Sequence, residues 1–246
     1  MYLNAIEKTS GSFSGEDAYL NKIPSLAGLS LLELTQPVTF LVGENGSGKS
    51  TLLEAIAVAF GFNPEGGSRN FSFSTADTHS ALHRCLTLHK DPYRPKDGFF
   101  LRAESFYNTA SEVDRLASSP ADPLYQSYGG KSLHHQSHGE SFLSLVHNRF
   151  WGQGLYLLDE PEAALSPTRQ LTLLAEIHRL VQEGSQLLIA THSPILMAYP
   201  QGEILLLGEG PIHPVGYRET EHYQITKQFL GNPERMLKIL FEEDHS

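Results

Sequence analysis

The sequence predicts an α/β fold with a mainly parallel core sheet flanked by helices, and three observations predict it. A complete phosphate-binding loop, Gly43-Glu44-Asn45-Gly46-Ser47-Gly48-Lys49-Ser50, lies between a short apolar strand and an amphipathic helix. A second apolar run, Leu155-Tyr156-Leu157-Leu158, ends in Asp159-Glu160-Pro161, and a third, Gln186-Leu187-Leu188-Ile189-Ala190, ends in Thr191-His192-Ser193-Pro194. Runs that are apolar without alternation are covered on both faces, which is the condition of a parallel sheet.

The first strand is Val38-Thr39-Phe40-Leu41-Val42, after Pro37. The helix that follows runs from Ser50 to Phe60, with Leu52, Leu53, Ile56, Ala59 and Phe60 at helical spacing and a stop at Gly61. Between them Gly43, Gly46 and Gly48 let the backbone wrap a phosphate chain, so that the loop amides, up to Thr51, and the positive helix end face the anion. Lys49 is expected to reach the β and γ phosphates of a nucleoside triphosphate, and the Ser50 hydroxyl to ligate Mg²⁺. At the end of the second strand Asp159 is placed to hold the same Mg²⁺ through water. Glu160, the next residue, is expected to point elsewhere and to polarise the attacking water. His192, at the end of the third strand, falls where a γ-phosphate would lie and is read as its sensor.

Composition narrows the rest. A chain of 246 residues suits one α/β domain with insertions. The charge of −10, from 28 acidic against 18 basic residues, comes without any lysine or arginine run and disfavours nucleic-acid binding through a basic face. The single cysteine, Cys85, excludes an intramolecular disulfide and fits a reducing compartment. No stretch approaches the ~20 apolar residues of a membrane span, and the first residues do not read as a signal peptide. A cytoplasmic protein with no direct membrane insertion is the expectation.

The order of these pieces resembles the ABC-type ATPases, a branch of the P-loop NTPases that includes transporter motors, SMC-like proteins and short standalone bacterial "AAA family" ATPases. The resemblance spans Leu34 to about Leu207. Its decisive addition is Ser137-His138-Gly139-Glu140-Ser141, ahead of the Asp-Glu strand where that family carries a Leu-Ser-Gly-Gly-Gln signature. Ser137, Gly139 and Glu140 match in kind, while His138 replaces the first glycine. The resemblance implies a mainly helical inserted subdomain and a signature that completes the nucleotide site of an opposite subunit. Two copies would then enclose two ATP molecules in an ATP-dependent homodimer. It also places a D-loop at Glu162-Ala163-Ala164-Leu165-Ser166-Pro167, in a wording nearer to SMC-like and standalone members than to transporters.

Gly98 to Asn108 resembles the strand leading to a family Q-loop, yet holds no glutamine. Glu104 is the nearest substitute as a ligand of a Mg²⁺-bound water, and a solvent-facing strand end accounts for it equally well. The subdomain is expected at about 63–150. His134, His135 and His138 lack the cysteines or second ligand pair of a zinc site. Arg69 reads as a solvated loop residue, and the sequence does not choose an adenine-stacking aromatic among Phe13, Tyr19 and their neighbours. The amphipathic tail from Thr226 to Phe241 is expected to pack on the domain. ATP hydrolysis with Mg²⁺, in an ATP-sandwiched homodimer that drives a conformational switch, is thus the expected activity, with any protein partner left unidentified. A transporter subunit and a nucleic-acid-linked ATPase in repair or phage defence are the alternatives.

Overall fold

The computed structural model describes residues 1–9, 13, 15–68, 80–103 and 138–242, the side chains of Glu16, His138 and Glu242 excepted. Arg69, Glu104, His134, His135 and Ser137 lie outside the described residues. Two sheets share the work. Strands β1 (Leu3–Lys8), β2 (Leu31–Glu33) and β5 (Leu86–Lys90) form an antiparallel sheet in the order β2-β1-β5. The main sheet holds seven strands: β3 (Val38–Val42), β4 (Gly67–Ser68), β6 (Asp97–Arg102), β7 (Gly154–Asp159), β8 (Gln186–Ala190), β9 (Gly202–Leu206) and β10 (His213–Pro214). Their order is β10-β9-β3-β8-β7-β6-β4. The five central strands run parallel, and an antiparallel strand closes each edge.

All three sequence-predicted strands are central members of this sheet. Each carries side chains to both faces with period two, and two apolar clusters result. On one face Phe40, Tyr156, Leu158 and Ile189 meet Phe142 and Val146 of α3 (His138–Arg149) and Leu173 and Ile177 of α4 (Pro167–Gln182). On the other, Leu41, Leu157 and Leu188 meet Leu52 and Ile56 of α2 (Lys49–Phe60) and Ile6 of the antiparallel sheet. A short helix, α1 (Pro24–Ala27), adds Leu26 to that cluster. The side-chain amide of Gln186, fully buried, joins the two sheets. Its Oε1 accepts from the backbone N–H of Tyr2 and Leu3 at 2.8 and 2.9 Å, and its Nε2 donates to Leu3 O at 2.7 Å.

Two expectations are corrected. Leu86–Lys90 and Asp97–Arg102 fall inside the stretch expected as a mainly helical insert at 63–150, yet they form β5 and β6, one strand in each sheet. Their alternating and continuous apolar patterns were in the sequence, but neither says which distant strand will pair with them. The tail, in turn, does not lie flat on the domain. It forms α5 (Glu221–Gly231) and α6 (Pro233–Glu242), on which Ile225, Phe229, Leu230, Leu237, Leu240 and Phe241 are exposed. The entry to α5 is tied down by Thr220, whose buried hydroxyl accepts from Tyr223 N and donates to Tyr217 O.

Candidate functional site

The parallel register brings the strand ends to one level. Leu41 of β3 faces Ala190 of β8, Ala190 faces Asp159 of β7, and Asp159 faces Arg102 of β6. The loop after β3, the turn after β7 and the histidine after β8 therefore leave the sheet side by side, at the carboxyl edge where ligands of open α/β sheets bind.

Gly43 starts the loop with φ 149°, and a Cβ there would stand 2.1 Å from Leu207 O, just past the end of β9. Only glycine lets the loop pass that close. Gly48, at φ 95°, precedes α2, where a Cβ would press on Ile23 and Leu26 at 3.0 Å. Lys49 is 4% exposed. Its Nζ donates to Gly43 O and Glu44 O, both at 2.9 Å, so the ammonium sits inside the arch of the loop. Burial pulls it below the ordinary lysine range, against the opposing pull of Glu160, Asp159 and Glu162. The hydroxyl of Ser47 is buried in the same arch without a hydrogen-bond partner among the described residues.

Ser50 and Asp159, expected to share a metal, are in direct contact: Ser50 Oγ donates to Asp159 Oδ1 at 2.8 Å. Two hard oxygen donors side by side, next to an anion cradle, fit a small divalent cation such as Mg²⁺. Arg102 completes this corner. Its Nη1 donates to Glu54 Oε2 of α2 at 2.6 Å, and its Nε lies 3.6 Å from Asp159 Oδ2.

Glu160 does not continue the strand alternation. Its backbone is left-handed, φ 49° and ψ 50°, a conformation that costs a residue with a Cβ about 1–3 kcal/mol and collects at functional sites. Its N–H donates to Ala190 O at 2.9 Å, and its carboxylate reaches toward His192, with Oε1 3.6 Å from Nε2. The turn that follows is held by Glu162, whose Oε1 accepts from His192 N at 2.5 Å. Burial raises the Glu162 carboxyl above the usual range, more than the His192 N–H lowers it. His192 Nδ1 in turn lies 2.9 Å from Nε2 of His222, in the first turn of α5.

Gly139 and Glu140 open α3 and face the turn after β7. A Cβ on Gly139 would meet Arg169 Nη1 at 2.6 Å and Ala164 O at 2.9 Å, and Glu140 pairs with Arg169 at 2.9 Å. Neither is among the residues lining the cavities beside the loop.

Two cavities flank the phosphate loop and share Asn45 and Gly46. One, about 470 Å³, is lined by Tyr19, Lys22, Ile23, Lys49, Ser50, Thr51 and Glu160. The other, about 480 Å³, runs from Gly43 and Glu44 past the end of β9 to His222. The first gathers the cationic, hydroxyl and carboxylate groups that a triphosphate and its metal need, with the half-exposed ring of Tyr19 at its rim.

Sequence reasoning did not single out Arg102 or His222, and it treated Tyr19 as one aromatic among several. The only local signal for Arg102 is a cation ending the apolar run Phe99-Phe100-Leu101. His222 has none, because it follows a turn and meets the site only through the fold.

The comparisons with known proteins agree with this geometry. Residues 19–96 match a family described as "AAA domain", and residues 132–198 match one described as "AAA domain, putative AbiEii toxin, Type IV TA system". The chain is 30% identical over 214 residues to the hemin import ATP-binding protein HmuV of Pseudomonas aeruginosa, covering 79% of this chain and 81% of that one. It is 27% identical over 206 residues to the cobalt import ATP-binding protein CbiO of Salmonella paratyphi A, covering 77% and 74%. The structure of CbiO1 from Clostridium perfringens shares the fold, with a TM-score of 0.53 at 18% identity over 98% of this chain and 99% of that one. A likeness at 30% identity over four-fifths of an ATP-binding subunit, together with a sheet whose strand ends bring loop, acidic pair and histidine to one edge, makes this chain a member of the ABC-type P-loop ATPases.

Proposed function

We propose that the protein hydrolyses ATP with Mg²⁺ as a head-to-tail homodimer that encloses two nucleotides. The observation that carries this reading is the contact of Ser50 with Asp159, with Lys49 in the loop beside it and Glu160 and His192 facing each other alongside. Lys49 and the amides from Gly43 to Thr51 hold the phosphates, with Glu44, Asn45, Gly46, Ser47 and Gly48 forming the arch. Ser50 and Asp159 hold the metal, which neutralises charge on the phosphate oxygens when bound. Glu160 orients and polarises the attacking water. His192 donates to the γ-phosphate. Tyr19 is the ring best placed to stack on adenine. Catalysis is then mainly placement and charge neutralisation around a transferring phosphoryl group.

Gly139 and Glu140, with Ser137 ahead of them, close the site of the second copy. Their place over the Ala164 turn, away from the cavities of their own loop, supports completion in trans. No helix among the described residues is long and apolar enough to cross a membrane, which accords with a cytoplasmic protein or one peripheral to a membrane. The relatives named as import ATP-binding proteins favour a second reading, a transporter subunit. The exposed apolar face of α5 and α6 would serve a protein partner in either case.

Light scattering coupled to size exclusion, with and without Mg²⁺–ATP, tests the dimer on wild type and Glu160→Gln. The variant is expected to double in mass with ATP while wild type returns to monomer as it hydrolyses. Bound ATP without any change of mass in either protein would replace this reading by a monomeric nucleotide-binding module.

A further inference from the structure

His222 stands outside the loop, the acidic pair and the signature, yet its ring touches the histidine of the site. His222 Nε2 and His192 Nδ1 are 2.9 Å apart, with ring centroids 5.0 Å apart and planes inclined at 58°. The position of His222 is set by the entry to α5, where Thr220, 2% exposed, caps the helix through Tyr223 N and is itself anchored on Tyr217 O. On the far side of the His192 ring, Nε2 is buried, has no hydrogen-bond partner among the described residues, and lies 3.6 Å from Glu160 Oε1. His192 is further held by its backbone N–H on Glu162 Oε1.

Two neutral imidazoles joined by one hydrogen bond share a single proton between facing nitrogens, and which ring supplies it decides the other nitrogen of each. Burial, and after it the Lys49 charge, hold His192 below the ordinary histidine range, with Glu160 pulling the other way. Burial, then His192 and Lys49, do the same to His222 against Glu221 and Glu162. Both rings are therefore neutral near pH 7. If His192 donated from Nδ1, its Nε2 would turn a lone pair toward the Glu160 carboxylate. If His222 donates instead, Nε2 of His192 carries the hydrogen and faces an acceptor.

We propose that His222 is a positioning residue: its Nε2–H donates to His192 Nδ1 and thereby fixes His192 as the Nε2–H tautomer, a donor aimed at Glu160 and at the phosphate oxygens of the nucleotide. The part concerning the nucleotide rests on the function proposed above. The part concerning the tautomer does not. Partners that fix the tautomer of metal-ligating histidines from behind are typically worth about 10–100-fold, and an effect of that order is expected here.

The test begins without nucleotide. Long-range ¹H–¹⁵N correlation spectra of ¹⁵N-histidine-labelled protein, assigned with His192→Gln and His222→Phe, are expected to show His192 with a protonated Nε2 and an unprotonated Nδ1. That preference should be lost in His222→Phe. A protonated Nδ1 on His192 in the wild type would overturn the proposal. Steady-state ATP hydrolysis follows. His222→Phe should lower kcat at least about tenfold with KM for ATP within about threefold, and His222→Gln, whose amide keeps a donor in place of Nε2–H, should recover to within about threefold of wild type. Equal kcat in His222→Phe and wild type, or failure of the glutamine to rescue in a variant that melts like wild type, would also overturn it. Absence of hydrolysis in the wild type would instead remove the function proposed above and leave the spectra to decide the tautomer.

Discussion

Ser50 Oγ donates to Asp159 Oδ1 at 2.8 Å across 109 positions of sequence. The contact joins the first turn of α2 to the end of β7, and β8 lies between β7 and the strand that feeds α2. Ser50→Ala and Asp159→Asn should each lower kcat by about 10²-fold or more, on the several kcal/mol that a bound divalent cation contributes to transition-state charge. Ser50→Ala should also raise the Mg²⁺ concentration that half-saturates hydrolysis. A Mg²⁺ titration identical to wild type would remove Ser50 from the metal site.

Glu160→Gln keeps shape and loses the charge proposed to polarise the attacking water. Hydrolysis should fall about 10²–10⁴-fold while the Kd for ATP stays within a few fold. Single-turnover kinetics set against equilibrium binding of a fluorescent nucleotide separate the two, and a variant that loses binding and turnover together would make Glu160 a binding residue.

At the opposite end of β7, Tyr156 OH donates to Asp97 Oδ2 at 2.7 Å and accepts from Gly152 N at 3.1 Å, while Arg149 Nη1 donates to Asp97 Oδ1 at 2.8 Å. Tyr156→Phe strands the buried Gly152 N–H and takes one donor from Asp97, which keeps Arg149 and the Trp151 N–H, and should cost about 1–3 kcal/mol. Arg149→Met leaves the Asp97 carboxylate buried without its cation and should cost about 3–5 kcal/mol. Urea unfolding with unchanged m-values measures both.

The same cluster gives stability a defined acid limit. Burial would raise the Asp97 carboxyl, but Arg149, Tyr156 and the Trp151 N–H outweigh it and hold it below the usual carboxylate range. The unfolded chain therefore takes up this proton first as pH falls. The contribution is full above the unfolded value of about 3.9 and is lost as pH drops through the lower folded value. Unfolding midpoints measured from pH 6 to pH 3 should fall more steeply for wild type than for Asp97→Asn. Parallel curves would deny Asp97 this role.

Gln186→Leu fills the same space with no polar atom and leaves Leu3 N and Leu3 O without partners. It should cost at least about 2 kcal/mol. Hydrogen exchange should show the loss first at the amides of Tyr2 and Leu3 in or beside β1, with the central strands of the main sheet protected as before.

The tail shows where sequence reading fails. Apolar spacing from Thr226 to Phe241 identifies helix and an apolar face, yet Gly231-Asn232-Pro233 divides it and leaves that face outward. Periodicity reports a face that wants cover and carries nothing about what covers it. Arg102 was visible only as a polar end to an apolar strand, since its partners Glu54 and Asp159 lie 48 and 57 positions away in sequence.

By itself the sequence determined the sheet class, the phosphate loop with Lys49 and Ser50, and the strand ends that carry Asp159 and His192. Each is a local matter: glycines that allow a turn, an unbroken apolar run that must be buried, a polar residue where that run stops. Only the tertiary structure decided that Ser50 touches Asp159, that Glu160 turns left-handed toward His192, that Arg102 backs the acidic strand end, and that α5 delivers His222 to Nδ1 of His192. Those relations depend on strand order and on the register that sets Leu41, Ala190, Asp159 and Arg102 level across the sheet. Register is a property of pairs of strands, and no single segment of chain contains it.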